Sequence, residues 1–127
     1  MQRLLCLSGA IVLASLSAVT VFAQAPANDA FANAITLNGP IVTTTGSNVG
    51  ATKQFGQEPF LVGGDFGGAS VWWNWTATAS GQTTIDTEGS DFDTLLGVFT
   101  GTVPNQLALV ADNNNYQIGR ASCRERV

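Results

Sequence analysis

The stretch Val71-Trp72-Trp73-Asn74-Trp75-Thr76-Ala77-Thr78 decides the fold class. Read with a period of two, it puts Val71, Trp73, Trp75 and Ala77 on one face and Trp72, Asn74 and Thr76 on the other. That is the pattern of a β-strand. Three indoles within four positions are a large apolar load for one strand, and Trp73 and Trp75 are the expected core residues.

Toward the C-terminus the same punctuation repeats. Ala79-Ser80-Gly81 reads as a turn and Gln82 to Thr87 as the partner strand, with Thr83 and Ile85 inward. The acidic turn Glu88-Gly89-Ser90-Asp91 follows. Thr94 to Thr100 is a further strand, with Leu95 and Phe99 opposed to Leu96 and Val98; apolar residues on both faces predict a central position. Leu107 to Ala111 closes the series before the polar tract Asp112-Asn113-Asn114-Asn115. Toward the N-terminus, Lys53 to Ser70 reads as a loop, with Glu58-Pro59 and the pairs Gly63-Gly64 and Gly67-Gly68. Ile41 to Thr45 reads as a strand. Asn28-Asp29 is placed to cap a short helical turn carrying Phe31, Ala34 and Ile35. Five or six short strands between turn clusters, with no longer helix, predict an all-β sandwich or barrel.

Both ends of the chain differ from this middle. Arg3, the apolar run Leu4 to Phe22 and the small residues around Ala23 make residues 1–23 a secretory signal peptide, with cleavage expected after Ala23. The expected location is therefore secreted or at the cell surface. Residues 118–127, IGRASCRERV, hold three of the five basic residues of the chain. They resemble the translation of a common short-read sequencing adapter, which the codons ATC GGA AGA GCG TCG TGT AGG GAA AGA GTG would encode. This tail is accordingly set apart as non-native, and the nucleotide record decides the matter.

The remaining segment, residues 24–117, fits one domain. Lys53 there stands against Asp29, Glu58, Asp65, Asp86, Glu88, Asp91, Asp93 and Asp112, a balance of −7. Such a domain repels nucleic acid and anionic membranes, so neither is an expected partner. Both cysteines, Cys6 and Cys123, fall outside the segment, which leaves burial or calcium rather than disulfides to stabilise an exported fold. The chain has no histidine. Ser-His-Asp and Cys-His catalysis are thereby excluded, along with the commonest zinc ligand.

Four blocks carry a resemblance: PANDAFANAITL (residues 26–37), SVWWNWTA (70–77), TIDTEGSDFDTLLGVFTG (84–101) and LALVADNNN (107–115). In this order they resemble bacterial pre-peptidase C-terminal domains. The resemblance implies a jelly-roll-like β-sandwich that is not an enzyme. It also implies an accessory role in binding, localisation or secretion within a larger exported protein, with a protein or polysaccharide as ligand. Two departures stand out. Here the blocks follow the signal peptide directly, and the family continues past the Asp112 region with further strands. The domain is therefore expected to be incomplete at its C-terminus, with unpaired edges, part of the Trp-Leu surface in water and poor solubility. Two other readings of the parent protein are a secreted hydrolase or peptidase with a separate catalytic domain, and a surface adhesin built from repeated structural modules. Either would make downstream domains its partners.

Candidate sites follow from oxygen and aromatic chemistry. Asp91, Asp93 and Asp112 are the candidate calcium ligands, since calcium takes six to eight oxygens. The spacing matches no EF-hand loop, and the competing role is to shape turns by accepting from backbone amides. Asp86 and Glu88 share a strand face as a glycosidase pair would, but nothing else marks a sugar cleft. Trp72, opposite Trp73 and Trp75, is the candidate surface aromatic. The glycine pairs around Asp65 lack the Gly-Lys-Ser/Thr of a phosphate loop, and the Asn74-Trp75-Thr76 sequon lies inside a predicted strand. No catalytic residue is expected.

Overall fold

The computed structural model describes residues 23–114 and, as backbone, 122–126. The expected signal peptide lies outside the described residues, apart from Ala23, as do Asn115 and most of the remaining tail. Among the described residues no helix is long and apolar enough to cross a membrane.

The fold is all-β. Six short strands follow in order: β1 (Ile35–Leu37), β2 (Trp73–Trp75), β3 (Gln82–Asp86), β4 (Leu96–Thr100), β5 (Ala108–Asn113) and β6 (Ser122–Arg126). Two 3-10 turns, Phe31–Asn33 and Pro104–Gln106, are the only helical elements among the described residues. The strands pair as three two-stranded ladders, β1 with β2, β3 with β6 and β4 with β5.

The indole strand forms where the sequence places it, but it is shorter than Val71 to Thr78. Within β2 the alternation holds, with Trp73 and Trp75 half-buried and Asn74 exposed. Its partner differs from the expected hairpin with Gln82 to Thr87. β2 instead pairs in parallel with β1, Ile35 opposite Trp73 and Leu37 opposite Trp75. The cause is a set of long-range bonds that precede the strand. Buried Asn28 accepts from the Trp72 amide through its carbonyl at 2.9 Å and donates through Nδ2 to the Trp72 carbonyl at 3.0 Å. That carbonyl also accepts from the Ile35 amide at 3.1 Å. These contacts dock the N-terminal segment along β2. Trp75 Nε1 then donates to the Gly39 carbonyl at 2.8 Å and fixes the far end of β1.

The expected cap is accordingly corrected. The residue capping the Phe31–Asn33 turn is Ala30, with no side-chain cap bond, because Asn28 and Asp29 are committed elsewhere. Ile41 to Thr45 is likewise not a strand. Ile41 is 92% exposed, and the segment crosses the Trp73 ring at Gly46, where a Cβ would lie 2.6 Å from the indole. Among the described residues this segment belongs to no ladder.

β3, β4 and β5 lie close to their predicted positions. β4 is not central among the described residues, for its only ladder is with β5. A register shift at Val98/Phe99 interrupts that ladder, and the Phe99 ring covers Gly97, where a Cβ would meet it at 2.5 Å. Phe99 faces Trp72 at 6.4 Å between ring centroids, and Phe31 meets the same indole edge-on at 5.1 Å. This aromatic trio joins the β1–β2 and β4–β5 ladders. No described side chain is fully buried, while Phe55, Phe60, Phe66 and Val49 are exposed.

Candidate functional site

Residues 53–70, part of the irregular stretch between β1 and β2, are tied to the rest of the fold by several hydrogen bonds. The two roots of this segment are tied together at Thr52. The Thr52 amide donates to Asp29 Oδ1 at 2.6 Å and its hydroxyl to Oδ2 at 3.1 Å. The Thr52 carbonyl accepts from the Ser70 amide at 2.9 Å. Ser70 Oγ lies between that carbonyl, at 3.1 Å, and Glu58 Oε2, at 2.5 Å. Glu58 is buried, and its Oε1 has no hydrogen-bond partner among the described residues.

Within the loop, local chemistry fixes each bend. The Gln54 carbonyl accepts from the amides of Gln57 and Glu58, both at 3.0 Å. Val62 and Asp65 exchange backbone bonds of 2.9 and 3.0 Å around Gly63-Gly64. Both glycines have positive φ, +58° and +84°, as a type I′ turn requires. Asp65 Oδ1 accepts from the Gly67 amide at 3.0 Å. Lys53, the one basic residue of segment 24–117, donates to the carbonyls of Phe60 and Phe66. Asp112 Oδ2 accepts from the Gly63 amide at 2.7 Å, which ties the loop to β5.

This scaffold presents apolar side chains to solvent. Phe55 is 73% exposed, Phe60 63% and Phe66 52%, and Leu61 is exposed beside them. Phe60 and Phe66 meet edge-on at 4.7 Å, one supporting the other. A fixed backbone displaying aromatic rings can bind by stacking and burial with little ordering cost.

The residues singled out from the sequence are placed differently. Asp91 and Asp93 are exposed in the bend before β4. The bend itself is shaped by others: Asp86 Oδ1 accepts from the Glu88 amide at 3.0 Å, and the hydroxyls of Thr87 and buried Thr94 lie 2.6 Å apart. Asp112 is committed to Gly63. Among the described residues no three acidic side chains gather in a group that could hold a metal ion. Trp72 is half-buried between Phe31 and Phe99, with Nε1 buried and without a hydrogen-bond partner among the described residues. The aromatic loop was missed because period-two reading rewards strands. The available signal was three phenylalanines in a glycine-rich loop beside the lone lysine. Comparison of the chain with protein-family models, with curated proteins and with solved structures finds no match.

Proposed function

We propose that the chain is a non-catalytic binding module of an exported protein, built on a jelly-roll-like β-sandwich, that holds a neutral polysaccharide through Phe55, Phe60, Leu61 and Phe66. The observation that carries this reading is the exposure of the three phenylalanine rings, with Leu61 beside them, on a backbone tied at both roots and along its length. Rings already held in place lose little freedom on stacking against a sugar face. The balance of −7 over residues 24–117 disfavours polyanions and leaves uncharged glycans suited to the surface.

The test is co-sedimentation of the chain with insoluble cellulose, chitin and xylan, beside the double variant F60S/F66S. The expected result is retention of the unaltered chain on at least one glycan and at least tenfold weaker retention of the variant, with matched near-UV circular dichroism. No retention on any of the three, equal retention of the variant, or turnover of a retained glycan would each overturn the proposal.

A further inference from the structure

β3 carries the feature that this reading does not use. Five consecutive residues pair in antiparallel register with β6, from Gln82 opposite Arg126 to Asp86 opposite Ser122, with no register shift. The paired segment belongs to the tail set apart by its composition. That tail holds Arg120, Arg124 and Arg126, whereas residues 54–117 contain no basic residue at all. A segment foreign to the domain brings no side chains matched to β3. What it shares with any peptide is its backbone.

The edge of β3 is also poorly defended. It contains no proline, its ladder has no bulge, and Asp86 at its end is its one charged residue, so little of what closes a sheet edge is present. Its exposed positions, Gln82, Thr84 and Asp86, are small or polar, and the following bend adds Glu88, Asp91 and Asp93. The tail opposite is net basic, with three arginines against Glu125. We infer that the β3 edge, Gln82–Asp86, is a strand-acceptor site for an extended basic peptide. Backbone bonds supply the affinity and the acidic surroundings select the charge. In this chain Ser122–Arg126 occupies it.

The register supplies the test. Residues directly opposite in an antiparallel ladder have Cβ atoms about 4.5–5.5 Å apart, within reach of a disulfide after small adjustment. Ile85 lies opposite Cys123. In the full chain with C6S, the variant I85C is expected to form a disulfide between the introduced thiol and Cys123 on mild oxidation, read by peptide mapping. Adding R124P removes a backbone donor from the tail. This triple variant is expected to lose that link and to capture an added RASCRERV peptide through the introduced thiol instead. A peptide with all three arginines changed to glutamate is expected to be captured at least tenfold more slowly, and one with proline in place of the second arginine not at all. Absence of the link to Cys123 in the I85C chain would overturn the inference without reliance on the proline variant. Equal capture of the proline peptide, or of the charge-reversed one, would overturn it too.

Discussion

Replacing Gly63 with alanine tests the tie between the aromatic loop and β5. Gly63 sits at φ +58°, a region that costs an L-residue about 1–2 kcal/mol. The added Cβ would also lie 2.7 Å from the Asn114 Cβ, 2.8 Å from the Asn114 amide nitrogen and 3.0 Å from the Asn113 carbonyl carbon. Two of these are backbone atoms and cannot swing aside. Overpacking of this kind costs about 1–3 kcal/mol. Gly64 is the built-in control, because its φ is +84° but a Cβ there meets nothing within 4 Å. G64A should therefore bear the backbone cost alone. The excess of G63A over G64A is about 1–3 kcal/mol, or about a 5- to 150-fold difference in the opening equilibrium. Limited chymotrypsin digestion reads it directly, since Phe55, Phe60 and Phe66 lie in the loop and cleavage tracks the open population when reclosing is fast. Initial cleavage should run in the order G63A, G64A, unaltered chain. Equal rates for G63A and G64A would refute the docking of Gly63 against β5.

Two further outcomes follow from the same contacts. N28A leaves the Trp72 carbonyl with one donor fewer in a buried setting, and should lower stability by about 1–3 kcal/mol, read as a lower urea midpoint by tryptophan fluorescence; an unchanged midpoint would remove Asn28 as the anchor of β1 against β2. A calcium titration followed by thermal melting tests Asp91, Asp93 and Asp112 as ligands. A ligand at 100 times its Kd adds about 2.7 kcal/mol, so a clear rise that D91N/D93N abolishes would identify these carboxylates as ligands, and an unmoved melting temperature would remove them.

Element type was legible along most of the chain, and partnership was not. β3, β4 and β5 lie within two residues of their predicted bounds because turn chemistry at Gly81, Gly89 and Gly101 limits them from either side. Ile41 to Thr45 failed for a reason the local pattern cannot carry. Its β-branched residues suit a strand, but among the described residues it joins no ladder, and the adjoining Gly46 runs against the Trp73 ring. For the site, the sequence marked carboxylates by type. Their employment depends on distant amides: Asp112 answers Gly63, 49 residues earlier, and Asp29 answers Thr52, 23 residues later.

The sequence by itself determined the all-β class, the acidic balance of residues 24–117 and the exclusion of histidine-dependent catalysis, because composition and period-two alternation are properties of the chain taken alone. Only the tertiary structure decided that the indole strand lies parallel to Ile35–Leu37, that Trp72 packs against two phenylalanines and that the phenylalanine loop stands exposed. Alternation states which residues share a face, and it is silent on what that face will meet. That choice is made by contacts between residues far apart in sequence, here above all the pair of hydrogen bonds between Asn28 and Trp72.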